Sequence, residues 1–145
     1  MSALGASIEG AHVLDLFAGS GALGIEMLSR GAEHCVFVEK SGKEAGTIRA
    51  NLAMLEAEDR ARVLVGDALR IIEKLDPEGY DVAVADPPYD RGLADALVRR
   101  FLARPFAREL WVEHRTGELA ALPDLTGRRY GDTTLTTVKA PDEQQ

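Results

Sequence analysis

Cysteine is nearly absent from this sequence, since Cys35 is the only one among 145 residues. A single cysteine excludes an internal disulfide and a cysteine-rich metal cluster. It precedes the apolar run Val36-Phe37-Val38, so we interpret it as a small residue of the hydrophobic core. The histidines, His12, His34 and His114, are scattered without the spacing of metal ligands. We therefore expect no metal site.

Long apolar runs are also absent, and no segment approaches the length of a membrane span. Residues 1–5 lack the basic and apolar regions of a secretory signal. We therefore expect a cytoplasmic protein with no membrane partner. Its 145 residues, 46% of them apolar, suffice for one core, which predicts a single domain over residues 1–139 and a flexible tail over residues 140–145.

Basic residues are fewer than acidic ones. The sequence has 17 Lys and Arg and 24 Asp and Glu, which gives a net charge of −7. This balance argues against broad, non-specific nucleic-acid binding. A nucleic-acid partner would have to meet a local patch, whereas the alternative is that the arginines are solvated or ion-paired. The local clusters are Arg99-Arg100, Arg104, Arg108 and Arg128-Arg129.

The stretch around which the chain is organised begins with a short apolar run, residues 13–16, that carries the carboxylate of Asp15. It continues into Gly19-Ser20-Gly21 and an amphipathic segment, a pattern that predicts a strand, a tight turn and a helix N-terminus. Glycine lacks a Cβ, so the backbone can approach a ligand closely, and the free N–H groups of the helix start would point towards that ligand. We interpret this turn as a ligand-binding loop.

Two ligand classes compete for the turn. Residues 19–24 match the G-x-G-x-x-G dinucleotide pattern, and Glu39 lies about 20 residues further on, as in NAD-dependent oxidoreductases. Asp15 favours a cationic ligand instead, since a carboxylate would repel a pyrophosphate and attract the ammonium or sulfonium of S-adenosylmethionine. A purely structural alternative is that Asp15 hydrogen-bonds loop amides.

Strands and helices alternate through the rest of the chain, with Gly31 predicted to end the first helix and Ser41 and Glu44 to form a capping box at the second. The order predicts an α/β, Rossmann-like fold with a doubly wound, mainly parallel, seven-stranded sheet and a C-terminal antiparallel hairpin. Helices are predicted over residues 22–30, 42–55, 68–75 and 93–102, with at most a short one over 119–122; strands are predicted over 13–16, 35–38, 62–65, 80–85, 109–113, 128–130 and 135–139.

Acidic residues lie at the carboxyl ends of four of the predicted strands: Asp15, Glu39, Asp67 and Asp86. In a doubly wound sheet, ligands bind outside the carboxyl ends of the strands, so these residues converge on one crevice. A carboxylate at the end of the second strand can accept bonds from both ribose hydroxyls of a nucleoside, and one at the end of the third can accept from an adenine amino group. The alternative for each is helix capping.

The most specific signal is the run Asp86-Pro87-Pro88-Tyr89. Two prolines fix φ and supply no N–H groups, so their carbonyls are free to face an amino group of a substrate. A planar base could stack on Tyr89 while its NH₂ donates to the Asp86 carboxylate and the Pro87 carbonyl. The alternative is a proline turn that merely follows a buried strand.

With these motifs the chain resembles class I S-adenosylmethionine-dependent methyltransferases, in which a D/N/S-P-P-Y/F motif is typical of amino methylation. Within that group it is similar to the bacterial RsmD-type enzymes, which methylate guanine N2 in small-subunit ribosomal RNA. The resemblance covers nearly all of residues 10–139. Its motifs are the stretch of residues 15–24, Gly66-Asp67-Ala68, Asp86-Pro87-Pro88-Tyr89 and Tyr130-Gly131-Asp132-Thr133.

The resemblance implies roles for the matching residues. Asp15 and the Gly19-Ser20-Gly21 turn would hold the methionine portion of the cofactor, Glu39 the ribose and Asp67 the adenine. The implied cofactor-binding set is Asp15, Phe17, Gly19, Ser20, Gly21, Glu39, Asp67 and Ala68, and the implied catalytic set is Asp86, Pro87 and Tyr89.

The resemblance also implies a partner, ribosomal RNA within a small-subunit assembly particle, and a monomeric protein. Amino methylation of adenine N6 in DNA or RNA, and a non-catalytic RNA-binding or assembly module that keeps the fold, remain alternatives. Family members carry an N-terminal segment with an Arg-Pro-Thr stretch and an apolar helix, whereas this chain begins almost at its first strand. Truncation, a late start or a short form would each account for that. We expect the chain to bind cofactor but to methylate RNA poorly compared with a form extended upstream.

Overall fold

The fold is built on one sheet. The computed structural model describes residues 8–75, 79–89, 91–117, 119 and 126–141. Within these ranges the strands are β1 (His12–Leu16), β2 (His34–Glu39), β3 (Ala61–Val65), β4 (Val82–Ala85), β5 (Glu109–Arg115), β6 (Thr126–Tyr130) and β7 (Thr133–Lys139).

Helices connect the parallel strands. They are α1 (Ala22–Ser29), α2 (Gly42–Met54), α3 (Ala68–Ile71) and α4 (Leu93–Ala103), with single 3₁₀ turns at Glu58–Arg60 and Ile72–Lys74. None of the helices in the described ranges has the length and apolar composition that crossing a bilayer requires.

The strand order is β3-β2-β1-β4-β5-β7-β6. Strands β1 to β5 pair in parallel, and β7 lies antiparallel between β5 and β6. The predicted doubly wound, mainly parallel, seven-stranded sheet with a C-terminal antiparallel hairpin is therefore confirmed. Because the order reverses between β1 and β4, a crevice opens at the carboxyl ends of these two strands.

Both faces of the sheet are buried, which explains why its central strands are continuously apolar. On one face, Val13 packs in a cluster with Met27 of α1 and Ile48 of α2. On the other face, Leu14 packs in a cluster with Phe101 of α4. The crossover helices thus hold β1 at the centre of the molecule, with its carboxyl end at the crevice.

Helix α1 approaches β2 very closely at Gly24. A Cβ on Gly24 would lie 2.8 Å from Cys35 Sγ and closer still to the ring of Phe37. The last glycine of the turn motif therefore serves helix–sheet packing. Gly31, with φ of 106°, follows the helix in the left-handed conformation that the sequence predicts.

The predicted elements differ from the structure mainly at their ends, since β4 begins at Val82 instead of residue 80, β6 at Thr126 instead of residue 128 and β7 at Thr133 instead of residue 135. The helix predicted over residues 68–75 ends at Ile71 and continues as a 3₁₀ turn, consistent with two successive β-branched residues, Ile71 and Ile72, which disfavour a helix. Strand β5 extends to Arg115 because β7 pairs along its whole length. The short helix predicted over 119–122 and the tail over 140–145 lie, except for Leu119, Ala140 and Pro141, outside the described residues.

Candidate functional site

A cavity of about 800 Å³ opens at the carboxyl ends of the parallel strands. This volume is within the range of small-molecule and cofactor sites. Eight residues implied by the sequence lie in its walls: Phe17, Gly19, Glu39, Asp67, Ala68, Asp86, Pro87 and Tyr89. The lining does not include Asp15, Ser20 or Gly21.

The turn after β1 has an unusual backbone. Gly19 and Gly21 have φ of 58° and 86°, and Phe17, which is not a glycine, has φ of 56°. A Cβ on Gly21 would also lie 3.1 Å from Ile48 Cγ1. Both the positive φ and the lack of space for a side chain therefore favour glycine at this position. The bulky Phe17 is held in a strained conformation of the kind that clusters at ligand sites.

Asp15 lies behind this turn. Its side chain is 1% exposed, and an oxygen of its carboxyl accepts a hydrogen bond of 3.0 Å from the Gly24 N–H in the first turn of α1. Burial, together with the nearby charges of Asp86 and Glu39, raises the pKa of Asp15 to about 8, although the bond from Gly24 opposes the shift. Asp15 thus binds a backbone amide in the first turn of α1, and its contact with a cofactor stays a prediction.

Glu39 ties the turn to the second helix. Its two carboxylate oxygens accept bonds from the Gly19 N–H at 2.7 Å and the Ser41 N–H at 2.9 Å. The Ser41 hydroxyl in turn accepts from the Glu44 N–H at 3.2 Å. Ser41 is therefore the predicted N-cap, but Glu39 makes the reciprocal bond that the capping box assigned to Glu44. Of the N–H groups predicted to be free at the start of α1, that of Gly24 is bonded to Asp15, and that of Gly19 in the preceding turn is bonded to Glu39.

Asp67 begins helix α3, where its carboxylate accepts from the Arg70 N–H at 3.2 Å. The preceding Gly66 donates its N–H to the Glu39 carbonyl at 3.0 Å, so the ends of β2 and β3 are held together. Ala68 is buried at the start of the helix. Two carboxylates, Glu39 and Asp67, consequently line the same side of the cavity.

Asp86 follows β4 and reaches the cavity from the other side of the crevice. Loss of part of its hydration, and then the negative charge of Glu113, raises the pKa of Asp86 above its ordinary value. The side chain nevertheless remains exposed, whereas Pro87 is buried. A carboxylate that is open to a ligand but costly to ionise is typical of a functional site.

Tyr89 is held by two contacts from distant parts of the chain. Its hydroxyl lies 3.0 Å from the Thr133 hydroxyl at the start of β7. The guanidinium of Arg115, at the end of β5, lies over its ring with Cζ 5.1 Å from the centroid. The aromatic platform predicted from the sequence is therefore fixed by the C-terminal strands.

The sequence interpretation missed Glu113, Arg91 and Arg115. Glu113 follows Val112, the register partner of Ala85, so it stands beside Asp86 across the strand ends. The rule that selected the other strand-end acids could have found it, because the predicted fifth strand ended at Glu113. Nothing in the sequence pattern marks the two arginines.

Among the described residues, no group of three or more His, Cys, Asp or Glu is placed to hold a metal ion.

Comparison with solved structures identifies the class of fold. The structure named "Putative methyltransferase yhhF from Escherichia coli" matches with a TM-score of 0.80 and 28% sequence identity, over 97% of this chain and 82% of that chain. The chain thus has the Rossmann-like fold of the methyltransferases. The family model described as "Conserved hypothetical protein 95" matches residues 1–139, and the chain belongs to this family, that of the RsmD-type enzymes.

Two curated relatives have named functions. "Putative rRNA methyltransferase YlbH" of Bacillus subtilis is 42% identical over 97 residues, which cover 66% of this chain and 53% of that protein. "Ribosomal RNA small subunit methyltransferase D" of Escherichia coli is 38% identical over 92 residues, which cover 63% and 45%. The chain spans about half the length of the curated relatives it matches.

Proposed function

We propose that this chain transfers a methyl group from S-adenosylmethionine to the exocyclic N2 amine of a guanine in small-subunit ribosomal RNA. One observation carries the proposal. The glycine turn and the carboxylates of Glu39 and Asp67 share a single cavity with Asp86 and Tyr89. A nucleoside cofactor and an amine-bearing base would therefore meet in one space. The printed names of the two curated relatives support ribosomal RNA as the substrate.

The donor set suits S-adenosylmethionine. Each carboxylate oxygen of Glu39 accepts one backbone bond and keeps acceptor capacity for ribose hydroxyls. Asp67 would accept from the adenine amino group. The turn at Gly19 would hold the methionine portion, with Ser20 and Gly21 shaping the turn and Phe17 and Ala68 lining the space beside it. When bound, the cofactor supplies an electrophilic methyl group.

Asp15 would act on the cofactor through the loop. Its bond to the Gly24 N–H fixes the first turn of α1, which follows the glycine turn. Its pKa of about 8 means that the carboxyl is mainly neutral at neutral pH, so direct attraction of the cationic cofactor is weaker than the sequence suggests. We therefore assign Asp15 to positioning.

The target amine is a poor nucleophile, because its lone pair is delocalised into the purine ring. Positive charge grows on its nitrogen as the methyl group is transferred. The Asp86 carboxylate and the Pro87 carbonyl would stabilise that charge more in the transition state than in the ground state. Tyr89 would hold the base in line for the transfer.

A ligand-binding experiment separates the proposal from an oxidoreductase. S-adenosylmethionine and S-adenosylhomocysteine should raise the melting temperature, since each binds the folded state only, while NAD should not. The opposite result would overturn the proposal.

The second experiment measures transfer. Radiolabelled methyl groups should appear on guanine after incubation with small-subunit ribosomal RNA, and more efficiently with a small-subunit assembly particle. Label on adenine would indicate that the target is adenine N6 instead of guanine N2. RNA binding without methyl transfer would indicate a non-catalytic module. Analytical ultracentrifugation tests the expectation that the protein acts as a monomer.

A further inference from the structure

We propose that Thr116 is a positioning residue for the target base. Its N–H and hydroxyl hold the turn between β6 and β7, and through that turn they keep Tyr89 in place. The inference rests on the proposed function, in which Tyr89 holds the base. Thr116 is not among the described residues that line the cavity, so it acts through Tyr89 and not on a ligand directly.

The two contacts that hold Tyr89 come from one pair of neighbouring residues. Arg115, whose guanidinium lies over the ring, is the register partner of Thr133, whose hydroxyl lies 3.0 Å from the Tyr89 hydroxyl. This pair is the last one in the ladder between β5 and β7. Strand ends are where pairing opens most readily, so the support of Tyr89 depends on what closes the ladder beyond this pair.

Thr116, the next residue after β5, closes the ladder. Its N–H donates to the Asp132 carbonyl at 2.7 Å. Its hydroxyl donates to the Gly131 carbonyl at 3.2 Å and lies 2.8 Å from the Thr134 hydroxyl. One residue thus binds both residues of the turn between β6 and β7, as well as the second residue of β7.

The direction of the bond between the two threonines follows from the number of protons. A hydroxyl has one proton, and that of Thr116 is used in the bond to the Gly131 carbonyl. The Thr134 hydroxyl must therefore donate to the Thr116 oxygen. Valine at position 116 would have the same shape but would remove this acceptor from Thr134 and this donor from Gly131.

The backbone of the turn shows why such bonds matter. Gly131 has φ of 65°, which glycine adopts without strain. Glycine also leaves the backbone free to adopt other conformations, so bonds from outside the turn stabilise one of them. The two bonds from Thr116 to the carbonyls of Gly131 and Asp132 contribute this restraint, and Thr133 follows directly in the chain.

A turn that is held less firmly would let Thr133 move away from the Tyr89 hydroxyl. The base that stacks on Tyr89 has to lie in line with the methyl group of the cofactor, and small errors in such an alignment slow a reaction. Thr116 therefore affects the position of the base, whereas the cofactor is held by residues of β1, β2 and β3.

The first experiment observes Tyr89 without any reaction. The chain has three tyrosines, so ¹³C labelling of their rings gives few NMR signals, and those of Tyr89 are the ones lost in Tyr89→Phe. They should shift in Thr116→Val and return towards the parent positions in Thr116→Ser, which keeps the hydroxyl. Unmoved signals in Thr116→Val would overturn the inference.

Thr47→Val is the matched control. It makes the same chemical change in α2, where the Thr47 hydroxyl donates to the Lys43 carbonyl at 3.3 Å. The Tyr89 signals should stay in place in this variant. A shift equal to that of Thr116→Val would mean that the signals report a general effect of losing a hydroxyl, and it would also overturn the inference.

The second experiment measures single-turnover methyl transfer to small-subunit ribosomal RNA. Thr116→Val should lower the rate roughly 2- to 10-fold, as expected for one net hydrogen bond, and leave the affinity for S-adenosylhomocysteine unchanged. Because Thr116 acts through Tyr89, the rate of Thr116→Val combined with Tyr89→Phe should be no lower than that of the slower single variant. Losses that multiply in the double variant would show two independent effects and would contradict the inference.

The outcomes separate this inference from the proposed function. Absence of methyl transfer by the parent chain, together with the expected shifts of the Tyr89 signals, would contradict the proposed function, while the role of Thr116 in holding Tyr89 would stand. Methyl transfer by a Thr116→Val protein at the parent rate would contradict the inference and leave the proposed function intact.

Discussion

The hydroxyl of Tyr89 lies 3.0 Å from the hydroxyl of Thr133, 44 residues further along the chain. The bond joins the loop after β4 to the start of β7. Removing it while keeping the ring, as in Tyr89→Phe or Thr133→Val, should reduce turnover by about 2- to 10-fold, the equivalent of one net hydrogen bond. The turnover of the double variant should be reduced no further than that of either single variant.

Removing the ring should cost more. Tyr89→Ala should lose stacking of about 1–3 kcal/mol, seen as a higher KM for RNA and slower transfer, with affinity for S-adenosylhomocysteine unchanged. Equal activity of Tyr89→Ala and the parent chain would remove Tyr89 from the site.

Asp86→Asn keeps the size of the side chain and one acceptor oxygen but removes the charge. Turnover should fall on the order of 10²-fold, about 3 kcal/mol, and mainly in kcat. Single-turnover methylation measures this, and titration with S-adenosylhomocysteine should show no change. Asp81→Asn, at the opposite end of β4, is the matched control and should leave kcat intact. A defect confined to cofactor affinity would show that the role proposed for Asp86 in methyl transfer is wrong.

Glu113→Gln should change the pH dependence of the same step. The negative charge of Glu113 contributes to the raised pKa of Asp86, so the variant should need a lower pH to protonate Asp86. The acidic limb of the kcat profile should therefore move to lower pH. Glu109→Gln, at the other end of β5, serves as the control. An unmoved limb would mean that Asp86 does not need to be ionised in the reaction.

Asp15 should make stability depend on pH. Its pKa is about 8 in the folded protein and near its ordinary value of 3.8 when unfolded, so the folded state binds the proton more tightly. This stabilisation is full below about pH 4 and is lost as pH rises to about 8, with a slope of up to about 1.4 kcal/mol per pH unit. The free energy of unfolding of Asp15→Asn, minus that of the parent, should rise across this window in urea titrations. A difference in the free energy of unfolding that does not change with pH would contradict the raised pKa of Asp15.

Gly24→Ala should destabilise the fold by about 1–3 kcal/mol, because the added Cβ would overlap the ring of Phe37 and crowd Cys35. Gly46→Ala is an informative control. Gly46 lies within α2 with nothing within 4 Å of an added Cβ, so alanine should stabilise the helix by about 0.5–1 kcal/mol. The midpoints of urea unfolding measure both changes in stability. A change of the same sign in the two variants would contradict the proposed packing.

Much of the fold could be predicted because it depends on local pattern. Apolar runs of four residues mark the buried strands, and Ser41 and Gly31 mark helix ends through chemistry that acts within a few residues. The strand-end acids followed from the same reasoning, since parallel strands bring their carboxyl ends together. These features need no knowledge of what packs against them.

The remaining features depend on contacts between distant residues. Glu39 accepts from the Gly19 N–H, 20 residues away, besides the capping bond from Ser41, and no local pattern shows the contact with Gly19. The arginine clusters resemble a basic patch in the sequence, but Glu73 reaches Arg100 from 27 residues away. The sequence shows where charges are dense, whereas only the fold shows which of them are neutralised.

The position of β7 between β5 and β6 affects the order in which the site can be assembled. The glycine turn follows β1, Glu39 ends β2 and Asp67 follows β3, so all three precede the C-terminal hairpin in the sequence. Tyr89 acquires its bond to Thr133 only when β7 has paired with β5. The bond between Tyr89 and Thr133 can therefore form only after the part of the site that is built on β1, β2 and β3 has been synthesised.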